Sequence, residues 1–334
     1  MHSGSILLVG GSGVVGRQAA RWIRQRQPDA ALLIGGRNMD TAGAIAEQVG
    51  NARPLKIDMD KPRLGLADDV KVSAVVMLAP DDGLNGLAYA QDQGVPFLSI
   101  VNGLVEVGPE IALFAHNASA APVILASHWM GGAATFLALK LAQRFEVTRS
   151  ITLGAIIDEN DQAGPTALED MERVHESAPP ALIFKDGRRT WLTGDAVKAP
   201  LRAIDGRSLE ASAFSTFDTA SLYVATGARN IRFDLASGSS SSREAGGEPA
   251  AEIVVEVEGD IDGRAQRVRG TLEFKEGLAS LTGLCVALAV GAALGLEGRS
   301  ALKAGMSLPE LLWQPDDYLE QLAHSGVTIE EQRL

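Results

Sequence analysis

The sequence predicts an α/β fold: a doubly wound parallel sheet in the N-terminal part, then a second α+β domain built on a largely antiparallel sheet. Three observations carry that prediction. Up to about residue 147, short apolar β runs alternate with helical segments, the pattern of strands joined by crossover helices. From residue 150 onward, strand-like runs follow one another without regular helices between them. Residues 252–258 and 266–274 flank Asp262-Gly263, a dipeptide suited to a tight hairpin turn, and so mark antiparallel pairing.

Taken in order, residues 5–9 form an apolar strand and 14–26 an amphipathic helix. Residues 30–34 are the second strand. The helix after it is capped at Asp40 or Thr41 and ends near Gly50. Short strands follow at 54–57 and 74–78, then a helix over 82–93 closed by Gly94. Strands at 96–100 and 122–126 complete the alternation, and a long apolar helix over 131–144 leads out of it. In the second part, residues 150–157, 181–184, 211–217 and 231–235 read as strands. The Ser/Gly-rich stretch 237–247 reads as a mobile loop. Residues 315–323 are a last short helix. The expected domains are therefore 1–147, 148–305 and a C-terminal helical segment, 306–334, that packs back on the first.

Composition narrows the function classes. Of the 334 residues, 46% are hydrophobic and 22% charged, which is an ordinary globular balance. A net charge of -12 without a basic block argues against nucleic acid as a partner. The single cysteine, Cys285, excludes an intrachain disulfide and a multi-cysteine metal site, and it suits a cytoplasmic location. No metal site is expected. Residues 1–5 lack the basic start of a signal peptide. The uncharged stretch 278–296 has nearly the length of a membrane span, but it contains Ser280, Thr282, Gly283, Gly291 and Gly295. A buried or interface helix is the favoured reading and a span the alternative.

The glycine loop is the decisive motif. Gly11-Ser12-Gly13-Val14-Val15-Gly16 follows a strand and opens a helix, the context that a dinucleotide-binding fingerprint requires. Gly11 is expected to make the tight turn, Gly13 to let a pyrophosphate approach the backbone, and Gly16 to let the helix pack closely. These features define a Rossmann dinucleotide-binding domain. At the end of the second strand, where an NAD enzyme usually carries Asp or Glu, the chain has Gly35-Gly36-Arg37-Asn38. A guanidinium grips a ribose 2′-phosphate that a carboxylate would repel, so NADP(H) is the expected cofactor, with Arg37 at the phosphate, Ser12 adding a hydroxyl and Asn38 among the cofactor-binding residues. Asp58, at the end of the third strand, is a candidate for the adenine. Ala79 and Pro80, at the end of the fourth, are candidates for the nicotinamide ribose.

These residues carry a family resemblance. Gly10-Gly11-Ser12-Gly13-Val14-Val15-Gly16-Arg17, then Ile34-Gly35-Gly36-Arg37-Asn38 before an Ala- and Glu-rich helix, resemble the saccharopine dehydrogenase-like superfamily. The likeness continues through residues 125–132, and returns at pattern level in the hairpin, the small-residue helix and the element from Asp317 to Ala323. The resemblance implies an NADP-dependent oxidoreductase with an inserted α+β domain that often dimerises. Its members act on C–N bonds of amino acids, on imines, or on unidentified substrates. No lysine- or glutamate-recognition motif is present, so saccharopine itself is not implied.

Hydride transfer belongs to the cofactor, and the protein must handle one proton. His128, two residues past the sixth strand, is the first candidate for that role because histidine titrates near neutrality. Asn102, beyond the fifth strand, is a candidate for the nicotinamide amide or a substrate carbonyl. Trp129 is a wall over the ring or a packing residue. The second domain also offers Arg173; Asp158, Glu159 and Asp161 read as a solvated acidic loop, His175 as exposed on a charged helix, and Tyr223 as packing. A small imine, amino or carbonyl compound is the expected substrate, bound by a homodimer. A non-catalytic NADP(H)-sensing or scaffold protein is the alternative.

Overall fold

The computed structural model describes residues 4–104, 106–161 and 180–334. Its contacts divide the chain into two units. One takes the residues up to Ser127 together with Thr282–Leu312, and the other takes His128–Leu281 with Trp313–Leu334.

The first unit is built on strands β1 (Ser5–Val9), β2 (Leu32–Gly36), β3 (Ala52–Lys56), β4 (Val72–Met77), β5 (Phe97–Ser99) and β6 (Pro122–Leu125). With helices α1 (Val14–Arg26), α2 (Met39–Val49), α3 (Asn85–Gln93) and α4 (Gly108–His116), they alternate as expected, except that α4 had no counterpart in the sequence reading. Every strand pairing is parallel, in the order β6-β5-β4-β1-β2-β3. Strands β1 and β4 are buried along their whole length, which explains their unbroken apolar runs: a parallel sheet is covered on both faces. A seventh strand, Gly305–Ser307, adds in parallel beside β6.

The second unit begins with α5 (Ala133–Ala142) and the long strand β7 (Val147–Asp158). It continues through β8 (Ala181–Lys185), β9 (Arg188–Leu192), β10 (Lys198–Arg202), β11 (Ser208–Ala213), α6 (Phe217–Thr226) and β12 (Asn230–Gly238). A single turn of helix, α7 (Ser241–Glu244), leads to β13 (Ala251–Ile261) and β14 (Arg264–Phe274). Apart from the parallel β7–β12 pair, the sheet is antiparallel. The hairpin turn is made by Asp262 (φ 51°) and Gly263 (φ 69°), the two positive φ values that a type I′ turn demands.

Helix α8 (Gly277–Leu294) is the uncharged stretch. It is long and apolar enough to cross a bilayer, yet 78% of its residues are buried in the chain's own fold. Gly283 explains part of that packing: a Cβ there would stand 2.7 Å from the backbone of Gln18 and Ala19, so the glycine lets α8 and α1 touch backbone to backbone. After β15 (Gly305–Ser307), helix α9 (Pro315–His324) appears where expected, but the C-terminal segment does not return as a whole to the first unit. Strand β16 (Thr328–Arg333) pairs with β14 in the second sheet, its solvent-facing Glu-rich sequence giving no apolar alternation to read.

The Ser/Gly-rich stretch corrects the sequence reading most clearly. Ser240, Ser241 and Ser242 are buried, where a solvated loop is expected, while residues 244–247 are exposed. Ser240 caps α7, accepting from the Arg243 amide. Its own amide donates to Asp158 Oδ2 at 2.7 Å. The amide and hydroxyl of Ser241 donate to Glu252, at 2.8 and 2.9 Å. Asp158, expected in solvent, is 1% exposed and also receives the Asn160 amide and Arg243 Nε.

Candidate cofactor site

The glycine loop has the geometry the motif requires, with one change of role. The left-handed residue is Gly10 (φ 82°), not Gly11. A Cβ on Gly10 would come 3.0 Å from the Ala79 Cβ, so the loop lies directly against the segment after β4. Gly11 is buried under Leu8 and Ile34. Gly16 cannot carry a side chain: an added Cβ would stand 2.2 Å from the Gly10 carbonyl oxygen, and backbone cannot swing aside as a side chain does. Gly13 is exposed and is the N-cap of α1, while Val14 and Val15 are half-buried in its first turn. That turn contains no acidic side chain, so its amides and dipole are left to an anion.

Next to this anion site, the Ser12 hydroxyl lies 3.0 Å from where a Gly36 Cβ would be. Glycine at 36 thus keeps open the space between Ser12 and the end of β2. Arg37 follows, exposed and without an ion pair among the described residues. Asn38 caps the helix that follows. Its Oδ1 accepts from the amides of Asp40 (2.9 Å) and Thr41 (3.2 Å), which makes Asn38 the cap of α2 and places Asp40 and Thr41 inside the helix. Asp58 is half-buried and paired with Lys61 at 3.0 Å. The Lys61 ammonium, aided by the Asp60 amide, holds its carboxyl below the usual range. Ala79 and Pro80 are half-buried at the carboxyl end of β4.

Asn102 is half-buried and bonds the buried carboxyl of Glu110, a residue that the sequence reading did not single out. Asp81 is a second such carboxyl, 6% exposed. A signal for Glu110 existed in Gly108-Pro109-Glu110, a helix-opening combination, but nothing in it marks the carboxyl as buried.

His128 belongs to the second unit and is 4% exposed. Its Nε2 shares a 2.8 Å hydrogen bond with Ser221 Oγ on α6, and its ring lies 5.6 Å from that of Phe217. The Trp129 amide donates to the fully buried Asp218, whose other oxygen accepts from Thr135 Oγ1. The Trp129 ring packs against Phe214 and Phe233. Tyr223 is a packing residue: it stacks on Phe184 at 4.0 Å and donates to the Gly187 carbonyl. Arg173 and His175 lie outside the described residues. Among the described residues, no three His, Cys, Asp or Glu side chains are grouped to hold a metal.

No family model and no curated protein sequence matches this chain. Solved structures do. Saccharopine dehydrogenase (L-Glu forming) from Saccharomyces cerevisiae, in its apo form, superposes with a TM-score of 0.71 at 14% identity, covering 99% of this chain and 100% of that one. GenD2 from gentamicin A biosynthesis, in complex with NAD, matches at a TM-score of 0.49 and 13% identity, covering 99% and 97%. A myo-inositol dehydrogenase from Corynebacterium glutamicum matches at 0.47 and 12%, covering 98% of each chain. The first of these shows a shared two-domain fold along the whole chain. The resemblance read from the sequence therefore holds at the level of fold.

Proposed function

We propose that this chain is an NADP(H)-dependent oxidoreductase that moves a hydride to or from a small imine, amino or carbonyl substrate. The observation that carries the reading is the anion cradle of the first unit: a helix N-terminus after a glycine loop with no side-chain cap and no acid in its first turn, Ser12 beside an open Gly36, and Arg37 next in sequence, exposed and without an ion pair among the described residues. The first part fits a pyrophosphate and the second a 2′-phosphate. The saccharopine dehydrogenase fold supports the same class of chemistry.

When bound, the nicotinamide supplies or accepts the hydride, and the chain orients the ring and handles the accompanying proton. The Gly13, Val14 and Val15 backbone binds the pyrophosphate, and Arg37 the 2′-phosphate. His128 is proposed to hold the proton, its ring fixed by Ser221. A purified sample is expected to bind NADPH and to consume it with one member of an imine and keto-acid panel. In His128→Gln, turnover should fall about 100-fold with NADPH affinity within about twofold; unchanged turnover would remove His128 from the mechanism.

The alternative of an NADP(H)-sensing protein without turnover draws on one observation, the near-complete burial of His128. NADPH binding without consumption on any panel substrate would favour it. The reading includes a cytoplasmic protein with a reduced Cys285, acting as a homodimer. Trp191, 52% exposed on the edge strand β9, and Val224, 84% exposed on α6, are apolar surface that a second copy would cover. Sedimentation of a monomer at micromolar concentration would sink the dimer.

A further inference from the structure

Helix α4 inverts the ordinary pattern of a surface helix. Its buried residue is Glu110, 3% exposed, while the neighbouring Ile111 is 44% exposed. Burying a carboxyl while exposing an isoleucine costs stability twice over, so a local rule is broken here without a packing reason. The Ser99 and Asn102 side chains, from the end of β5 and the loop beyond it, act on the Glu110 carboxyl by hydrogen bonding and favour its charged form. Its Oε2 is buried with no hydrogen-bond partner.

The charge acting on Glu110 is that of a second buried carboxyl, Asp81, on the loop after β4. Asp81 is fixed by the amides of Asn85 (3.1 Å) and Gly86 (2.6 Å) at the start of α3. Burial pushes both carboxyls above the usual range, and each feels a further negative neighbour, Asp81 for Glu110 and Asp82 for Asp81. Glu106, on the β5–α4 loop, accepts from the Gly103 amide. Among the described residues, neither Asp81 nor Glu110 pairs with a lysine or arginine. Asp81 follows β4 and Glu110 lies on the helix after β5, its parallel neighbour, so the two buried acids belong to adjacent connections at the carboxyl edge of the sheet. Two such acids without a cation complement a positive charge brought by a ligand.

Their place in the sheet says which charge that is. Strand order reverses between β1 and β4, so the ligand crevice of this doubly wound sheet opens at the carboxyl ends of those two strands. Asp81 lies on the loop after β4, beyond Leu78-Ala79-Pro80, and the close approach of Gly10 to Ala79 sets that segment against the glycine loop. Resting on the dinucleotide reading above, we infer that the Asp81–Glu110 pair faces the nicotinamide half of the cofactor and makes the site select the cationic, oxidised ring over the neutral, reduced one.

The test uses the full chain, with NADP+, NADPH and adenosine 2′,5′-bisphosphate, which lacks the nicotinamide half, as separate probes. Glu110→Gln keeps the shape and removes the charge. It is expected to weaken NADP+ about tenfold, leaving NADPH and the bisphosphate within about twofold. An unchanged ratio of NADP+ to NADPH affinity, or an equal loss for all three probes, overturns the inference. Should the variant fold poorly, the wild type supplies the second measurement. As pH falls toward the ordinary carboxylate range at pH ~4, protonation of the raised carboxyls neutralises the pair, so the NADP+ advantage over NADPH should already shrink above that range; a constant ratio overturns the inference. Wild-type protein that binds none of the three refutes the dinucleotide reading itself, and this inference with it. Binding of the bisphosphate with no discrimination between the two dinucleotides refutes this inference alone.

Discussion

Arg37→Asp is expected to weaken NADPH binding about 100-fold, while NADH changes by less than about threefold. Two effects add at one position. The variant loses a guanidinium fork that makes paired, charge-assisted bonds to a phosphate, and it gains a carboxylate that repels one. Arg37 is exposed, so salt screens part of its attraction. The wild-type preference for NADPH should therefore narrow as ionic strength rises, whereas NADH affinity should hardly respond. Nothing in the fold opposes the change: Arg37 has no ion pair among the described residues to lose, and it precedes the Asn38 cap without taking part in it. Parallel titrations of both proteins with both nucleotides read the result. Equal losses for NADPH and NADH would indicate damage to the glycine loop. An unaltered NADPH affinity would mean that the 2′-phosphate is seated elsewhere, or that NADP(H) is not the cofactor.

The cofactor half of the molecule was legible because its signals are local. Strand, glycine loop, helix and second strand fall within the first 36 residues, and each glycine answers to a steric demand that nearby backbone imposes. Even there, the positive φ sits at Gly10 and not Gly11, a one-residue shift that a run of two glycines conceals. Helix α4 escaped notice for the opposite reason. Its apolar residues do not line one face, because the side it buries carries Glu110. Strands β9, β10 and β16 are short edge or near-edge pieces with mostly exposed side chains, so no alternation announces them. The stretch 237–247 misled because Ser and Gly usually mean a solvated linker. Its order comes from partners, Asp158 and Glu252, that are remote in sequence or on another strand, and composition cannot reveal a partner. Asp158 misled in the mirror sense: an acid in a run of acids is ordinarily solvated, and only the folded chain brings Ser240 and Arg243 to it.

Asp158→Ala should be the most destabilising of the substitutions considered, by about 3 kcal/mol. Asp158 is almost fully buried and accepts from the amides of Ser240 and Asn160 and from Arg243 Nε, binding the end of β7 to the turn that follows β12. Removing the carboxylate leaves the amide of Ser240, a residue 0% exposed, without an acceptor, and strands the Arg243 guanidinium beside an apolar gap. Burial by itself would raise the Asp158 carboxyl, but the hydroxyl and amide of Ser240, the Asn160 amide and Arg243 outweigh it and hold the group below the usual carboxylate range. A carboxyl lowered in the folded chain contributes stability that is fully present above its unfolded value, near pH 3.9, and is lost as pH falls through the lower folded value. The stability gap between wild type and Asp158→Asn, which keeps the shape without the charge, should therefore be constant through neutral pH and close only below pH ~4. Hydrogen exchange at the Ser240 and Ser241 amides gives the local readout: slow in wild type, and faster in Asp158→Ala than anywhere in the first sheet. An unaltered unfolding midpoint with unaltered exchange would show that Glu252 alone, through its bonds to Ser241 and the Ile204 amide, suffices to order the serine-rich turn.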